Sequence, residues 1–209
     1  DPKPLGSGAY HGGESDAWVM VEVQAVSRAL ARIGVVHRTR GIARLEELPG
    51  VLAESTEPVI FNLVEDLPRG SDNDANHVPT ICHVHGKAVT GCDTACQVLA
   101  QNKWRTNAVL GAAGVPVPKG KMVPGAVFSP GARMSGPYIV KPCARDASEG
   151  IGEASVFAED GPELRDAVRK IHEHFNQAAL VEQYVGTREF NISILQEGGD
   201  VRILPLAEI

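Results

Sequence analysis

A lysine followed by a loop of small residues is the pattern in this sequence that most directly predicts chemistry. Residues 138–140 are a short apolar run typical of a buried strand, and they place Lys141 at the strand end, where Pro142 stops further pairing. The loop over 143–150 is rich in alanine, serine and glycine, so its backbone N–H groups can approach an anion closely. A fixed cation beside such a loop suits a polyphosphate. The spacing differs from G-x-x-x-x-G-K-[ST], which excludes the Walker phosphate loop.

Further charged residues could complete a nucleotide site. Lys103 lies at a helix start, and Glu182 lies within an apolar strand, where a carboxylate is costly unless it accepts hydrogen bonds. A base amine or ribose hydroxyls would supply those bonds. Each residue also has a purely structural explanation: Lys103 as a surface lysine, Ser148 as a turn residue, and Glu189 as an ion-pair partner of Arg188.

Composition narrows the classes of protein to consider. The chain has 209 residues, of which 43% are hydrophobic and 22% charged, as in ordinary globular proteins. A formal charge of -6 and an isoelectric point near 5.6 argue against a nucleic-acid surface, which needs clustered lysine and arginine. The apolar runs are too short to span a membrane, and the N-terminal residues lack the regions of a signal peptide. We therefore expect a cytoplasmic protein with neither a nucleic-acid nor a membrane partner.

The cysteines predict neither a disulfide framework nor a strong metal site. They are sparse, contain no C-x-x-C pair, and are expected to be reduced. On a strand, the two histidines of Cys82-His-Val-His85 would share a face and could bind a metal. No second ligand pair follows, so a metal there is the less favoured alternative.

Alternating helices and strands dominate the first half of the sequence. Residues 58–64 form an apolar run typical of a buried strand, which closes on Glu65 and Asp66. Such alternation predicts an α/β fold with a Rossmann-like parallel sheet that binds ligands at the carboxyl ends of its strands. Glu65 and Asp66 are therefore candidates for substrate contact, although a solvated loop explains them equally well. The other elements predicted here are a helix capped by Ser15 or Asp16 and ended by Gly34, a strand over 35–39, a weaker helix over 43–53 and a surface loop over 70–76.

The second half mixes helices, strands and a hairpin, and predicts an α+β arrangement. An apolar stripe at helical spacing predicts a helix over 161–175. Residues 189–195 alternate in polarity, turn through Gly198 and Gly199 and return over 201–206, as antiparallel hairpins do. The other predicted elements are helices over 93–100 and 104–113, an extended connector over 115–118, and strands over 153–157 and 179–185. We place a domain boundary near residue 98, before the helix that carries Lys103.

Several separated motifs, taken in order, resemble those of the ATP-grasp ligases, and most closely those of the D-alanine–D-alanine ligase family. The resemblance covers most of residues 58–209. The residues that carry it are Phe61-Asn-Leu-Val-Glu-Asp66, Val78-Pro-Thr-Ile-Cys82, Thr90-Gly91, Lys103, Gly114-Val-Pro-Val-Pro118, Ile139-Val-Lys-Pro142, Ser148-Glu-Gly-Ile151 and the segment from Glu182 to Phe190.

The resemblance implies ATP held between two lobes, with Mg²⁺ in the complete enzyme. ATP would phosphorylate a carboxylate, and an amine would attack the resulting acylphosphate. The domains implied are an N-terminal Rossmann-like domain over 1–97, a central domain over 98–185 with a phosphate-covering loop at 143–152, and the start of a C-terminal lobe over 186–209. The implied contacts are Lys103 and Lys141 to the phosphates, Ser148 in the lid, Glu182 to the adenine amino group, the Val185 main chain to the ring, and Glu189 to the ribose.

Three features depart from the family pattern. The magnesium ligands and the arginine that stabilises the acylphosphate would come after residues 204–209, so we expect no metal site among these residues and the main catalytic residues beyond Ile209. The chain has no initial methionine and no first strand, so both ends are expected to be cut. Glu14 lies in a loose counterpart of a Gly-Gly-x-Ser-x-Glu motif, and Ala147 and Ser148 stand where paired serines are usual. Glu14 and Ser148 are therefore candidates for substrate or lid roles.

Three functions stay open at this point. The first is an ATP-dependent carboxylate–amine ligase, acting on D-alanine or on another amino acid or peptide. The partners considered for it are this small-molecule substrate and a second copy of the chain in a homodimer. The second is a nucleotide-binding module without turnover. The third is a structural or interaction protein, which would leave both lysines and Glu182 unexplained.

Overall fold

The computed structural model describes residues 12–65, 67, 69, 73–125, 134–145, 150–186 and 188–208. Asp66, Ala147 and Ser148 lie outside the described residues, as do parts of the loops predicted over 70–76 and 143–150. The chain forms two compact units that divide between Asn102 and Lys103. No helix in the described part of the chain is long and apolar enough to cross a membrane.

The first unit contains four α-helices and two short strands among its described residues. Its elements are α1 (Gly12–Arg32), a 3-10 turn (Leu45–Glu47), α2 (Leu48–Glu54), β1 (Val59–Ile60), a second 3-10 turn (Asp74–His77), α3 (Val78–Val84), β2 (Ala88–Val89) and α4 (Thr94–Gln101).

Some helix boundaries of this unit lie where a glycine or a capping side chain indicates them, and one does not. Gly34, at φ +75°, follows the end of α1 as predicted, because glycine adopts this left-handed conformation without steric cost. Asp93 caps α4 by accepting a hydrogen bond from the Cys96 N–H at 2.8 Å. The cap predicted for α1 is wrong: the helix begins at Gly12, so Ser15 and Asp16 lie inside it.

The strands predicted for this unit are largely absent from the described structure. β1 and β2 pair in parallel, as predicted, but β1 has only two residues, and Val59 is 56% exposed rather than buried. Residues 35–39 form no strand, and Val36 is 94% exposed. A strand needs a neighbour for its backbone N–H and C=O groups, and apolar composition alone does not supply one. The predicted Rossmann-like sheet is therefore not confirmed.

A small core holds α2 and α3 together, and the helical conformation of α3 contradicts the metal hypothesis. Leu48, Leu52, Val78 and Cys82 are buried against one another. Cys82 and His83 lie in a helix and His85 caps it, so the strand geometry assumed for a metal site is wrong. Within the described residues, no group of three or more histidine, cysteine or acidic side chains is arranged to hold a metal.

Where the structure describes it, the second unit combines two α-helices with short antiparallel sheets. Its elements are α5 (Lys103–Ala112), β3 (Gly120–Val123), β4 (Tyr138–Pro142), a 3-10 turn (Glu153–Ser155), β5 (Val156–Phe157), α6 (Pro162–Phe175), β6 (Ala179–Gln183), β7 (Phe190–Asn191), β8 (Ile194–Glu197), β9 (Asp200–Ile203) and β10 (Ala207–Glu208). This mixture confirms the α+β character predicted for this part of the chain.

A four-stranded sheet in the order β3-β6-β4-β5, antiparallel at each pairing, forms the framework of this unit. α6 packs on it through Leu164, Val168 and Ile171, the stripe predicted from helical spacing. The predicted strand over 153–157 is shorter than expected, because its first three residues form the 3-10 turn.

The hairpin near the end of the described residues follows its turn signal. β8 and β9 pair antiparallel, with Glu197 opposite Asp200. Gly198 and Gly199 between them have φ values of +60° and +107°, which glycine adopts readily in tight hairpin turns. β7 pairs with β10, and Arg188 forms an ion pair with Glu208. The alternative pairing of Arg188 with Glu189 is therefore wrong.

The cysteines divide into buried and exposed thiols, which predicts their reactivity. Cys82 and Cys143 are buried, whereas Cys92 and Cys96 are exposed near the start of α4. Burial raises the pKa of Cys143 to about 11, so this side chain stays a thiol at neutral pH. We expect a maleimide at pH 7 to label Cys92 and Cys96 in the folded protein, and all four cysteines only in denaturant. Peptide mass spectrometry checks this result, and rapid native labelling of Cys143 would contradict its burial.

Candidate functional site

A buried carboxylate lies at the centre of the four-stranded sheet. Glu182, on β6, is 4% exposed, and it is the charged residue among the buried residues described. Its neighbours across the sheet are Gly120 on β3 and Ile139 on β4. A charge at such a position is costly unless hydrogen bonds and an opposite charge compensate for the lost water.

Lys141 supplies the opposite charge. Its Nζ atom forms an ion pair with Oε1 of Glu182, and the two side chains are 22% and 5% exposed. The pairing follows from the sheet register, because Ile139 is opposite Glu182 and Lys141 lies two residues further along the same face of β4. The sequence predicted Lys141 at the end of one strand and Glu182 within another, and these two strands are neighbours in the sheet.

Asn107 is a second partner of Glu182 that the sequence analysis missed. Its Nδ2 atom donates a hydrogen bond to Oε2 of Glu182 at 3.2 Å. Asn107 lies four residues after Lys103 on α5, so both residues share one face of that helix. This spacing was the available signal, but nothing local indicates that the face lies against β6.

Lys103 lies at the start of the predicted phosphate loop. Its backbone N–H donates to the Cys143 carbonyl at 2.9 Å, and its Nζ atom donates to the Arg145 carbonyl. Burial is the main cause of the raised pKa of Cys143, while the charge of Lys103 lowers that pKa and the charge of Glu182 raises it. Both charged groups therefore act on the same buried thiol. We call Lys103, Asn107, Lys141, Cys143 and Glu182 the Glu182 cluster.

Both residues that flank the undescribed segment 146–149 contact the end of α6. The guanidinium carbon of Arg145 lies 5.7 Å from the centre of the Phe175 ring. Gly150 has φ +73°, and a Cβ atom there would lie 2.9 Å from that ring. The Ala144 N–H donates to Oε1 of Gln177 at 2.7 Å. The aromatic ring and Gln177 thus anchor the predicted phosphate loop at its two ends.

The predicted site residues fall into three groups. Lys103, Lys141 and Glu182 come together in the Glu182 cluster. Val185 and Glu189 lie beyond the end of β6, where both are exposed. The others are Ser148, which is outside the described residues, Glu14, which lies on α1 in the first unit, and Glu65, which follows β1 and is exposed.

Comparison with known proteins identifies the fold. No model of a known protein family matches the sequence. D-alanine–D-alanine ligase of Caulobacter sp. (strain K31) is 28% identical over 191 residues, which are 91% of this chain and 56% of that ligase. The crystal structure of D-alanine–D-alanine ligase from Helicobacter pylori matches with a TM-score of 0.56 at 20% identity, over 73% of this chain and 47% of that one.

A structure solved with nucleotide shares the same fold. The biotin carboxylase domain of Hydrogenobacter thermophilus 2-oxoglutarate carboxylase, crystallised with MgADP, matches with a TM-score of 0.56 at 17% identity, over 78% of this chain and 36% of that one. Together with the four-stranded sheet, these similarities show that the chain has the fold of ATP-grasp ligases.

Among proteins with this fold, the chain is similar in sequence to D-alanine–D-alanine ligases, the family that its motifs resemble. It spans about half the length of the curated relatives that it matches, 56% in the case of the Caulobacter ligase.

Proposed function

We propose that this chain provides the nucleotide-binding part of an ATP-dependent carboxylate–amine ligase. The observation that carries the proposal is the Glu182 cluster, in which a buried carboxylate and two lysines from three different elements lie together at the predicted phosphate loop. A purely structural protein has no need for this arrangement, because an apolar pair would fill the same space at no electrostatic cost.

The cluster suits the two ends of an adenine nucleotide. The ammonium groups of Lys103 and Lys141 would bind phosphate oxygens, since charge-assisted hydrogen bonds are strong where water is scarce. Glu182 would accept the 6-amino group of the base. The exposed main chain at Val185 would pair with the ring, Glu189 would bind the ribose hydroxyls, and Ser148 would cover the phosphates. We place this site between the proposed domains 98–185 and 186–209.

Nucleotide binding would require the pair between Lys141 and Glu182 to open. In the structure these two groups neutralise each other, whereas the proposal assigns them to opposite ends of the nucleotide. The phosphates would replace the carboxylate as partners of Lys141, and the base amine would replace the ammonium beside Glu182. Both buried charges would then keep a partner, so the exchange leaves no group uncompensated.

The proposed reaction joins a carboxylate to an amine in two steps. An oxygen of the carboxylate would attack the γ-phosphorus of ATP, forming an acylphosphate and releasing ADP. The amine of the second substrate would then attack the acyl carbon, which forms the C–N bond and expels phosphate. The residues of the Glu182 cluster are proposed to bind and orient ATP for this reaction.

The substrate is proposed as D-alanine or another amino acid or peptide. Ala147 stands at the position where the family pattern has a serine on the substrate side, and Glu14 is the further candidate for substrate contact. A protein with the same fold, which matches with a TM-score of 0.55 at 18% identity, is named L-amino acid ligase of Bacillus licheniformis. The proposed homodimer can be checked by light scattering.

A nucleotide-binding module without turnover is the second candidate. It needs only the lysines and the buried carboxylate of the Glu182 cluster, which the described residues supply. Under this proposal the protein binds ATP and releases no ADP, whichever carboxylate is supplied.

One assay separates the two candidates. We expect ADP release by the protein in its full natural length, with Mg²⁺, to depend on an added amino acid, because phosphoryl transfer needs a carboxylate acceptor. A coupled assay over a panel of D- and L-amino acids and short peptides measures this dependence. ATP binding without ADP release that depends on any of these carboxylates would sink the ligase proposal and support the binding module. Absence of ATP binding would remove both.

A further inference from the structure

Each oxygen of the Glu182 carboxylate has its own donor. Oε1 faces the ammonium of Lys141, and Oε2 accepts the hydrogen bond of Asn107 at 3.2 Å. The atom of Asn107 that faces Glu182 must be its NH₂ group, because an ionised carboxylate only accepts hydrogen bonds. Asn107 is thus a neutral donor to this carboxylate.

Nucleotide binding would affect the two donors, Lys141 and Asn107, differently. The proposed function transfers Lys141 to the phosphates, so its hydrogen bond to Oε1 is given up. Glu182 is 5% exposed at its side chain, so water cannot easily replace the lost donor. Asn107 has no phosphate role to compete with its bond to Oε2 and can keep that bond throughout. With Oε2 held, Oε1 is the oxygen left for the incoming base.

We propose that Asn107 is a positioning residue that orients Glu182 toward the 6-amino group of the purine and so favours ATP over 6-oxo nucleotides. This inference rests on the proposed function. A carboxylate fixed by one oxygen accepts from an amino group, whereas a 6-oxo group would place a second acceptor against it. Because Asn107 and Lys103 share a face of α5, one helix aligns the donors at both ends of the nucleotide.

The test compares ATP with inosine triphosphate, which differs from ATP at the 6-position of the base. Asn107→Leu keeps the size of the side chain and removes the donor. We expect it to weaken ATP binding about tenfold, the usual effect of losing one hydrogen bond to a charged group, and to leave inosine triphosphate binding unchanged. Isothermal titration calorimetry on the 209-residue chain measures both dissociation constants.

Three further variants make the result interpretable. Lys103→Met should weaken both nucleotides equally, because their phosphates are identical. Asn107→Gln keeps an amide donor and should retain part of the preference for ATP, which a merely structural role would not predict. If Asn107→Leu does not fold, Asn107→Asp replaces it: a second carboxylate at Oε2 should weaken ATP binding more than inosine triphosphate binding.

The outcomes distinguish this inference from the function on which it rests. If the Asn107 variants lose affinity for both nucleotides equally, the positioning role is overturned. The proposal that the chain binds nucleotides is then unaffected. An unchanged preference for ATP would overturn it as well. A wild-type chain that binds neither nucleotide would remove the proposed function itself.

Discussion

Replacement of Lys141 by methionine is expected to lower the free energy of unfolding by about 3 kcal/mol. The variant removes the ammonium that pairs with Oε1 of Glu182 and leaves a carboxylate in the middle of the sheet with Asn107 as its described partner. Breaking a buried pair from one side costs more than the pair contributes, because the remaining charge has no compensation. Lys141 is 22% exposed, so we take the lower end of the usual range for such pairs.

Urea denaturation followed by circular dichroism measures this change. The double variant Lys141→Met with Glu182→Gln should recover most of the lost stability, because it buries no charge and its amide oxygen still accepts from Asn107. Lys119→Met is the matched control: Lys119 is exposed at the entry to β3, so its replacement should change stability by less than about 0.5 kcal/mol. Equal effects of the Lys141 and Lys119 variants would show that the pair in the sheet is not formed.

The same variants separate stability from nucleotide binding. Under the proposed function, Lys141 binds phosphate, so Lys141→Met should also weaken ATP binding by about 1.5–3 kcal/mol. The double variant should be stable but still deficient in ATP binding, since neither replacement restores a cation. A double variant that binds ATP as tightly as the wild type would contradict the phosphate role of Lys141.

Local patterns in the sequence predicted most of the second unit. The stripe of α6, the hairpin turn at Gly198 and Gly199, and the strand with Glu182 all depend on periodicity or on backbone conformations that neighbouring residues specify. The predicted strand over 35–39 failed because its signal was apolar composition without a pairing partner.

The sequence was sufficient to predict which charged residues belong to the candidate site, but not which residues they contact. The cost of burying Glu182 indicated that it must have donors, and Lys141 was recognisable beside its loop. Which donors reach the carboxylate depends on the register between β4 and β6 and on the packing of α5, and both are set by residues far apart in the chain. Asn107 was missed for this reason. The ion pair between Lys141 and Glu182 was missed because each residue was assigned to a different part of a ligand.

Gly120 offers a test of the register between β3 and β6, because it leaves the space that Glu182 occupies. Gly120 is opposite Glu182 in the pairing of β3 with β6. A Cβ atom at Gly120 would lie 2.9 Å from the Cβ atom of Glu182 and 3.2 Å from the carbonyl oxygen of Val181. Neither neighbour is the end of a flexible side chain, so the strands themselves would have to separate. We expect Gly120→Ala to cost about 1–3 kcal/mol, the usual range for overpacking.

The matched control is Gly152→Ala in the same unit. A Cβ atom at Gly152 would meet no atom within 4 Å, and its φ lies outside the left-handed region, so this replacement should be neutral or slightly stabilising. Urea midpoints at constant m-value measure both changes. Gly120→Ala should also weaken ATP binding, because a shift of β3 against β6 moves the carboxylate that the proposed function assigns to the base, whereas Gly152→Ala should not. If both variants behave alike, Gly120 does not face Glu182, and the register between β3 and β6 is wrong.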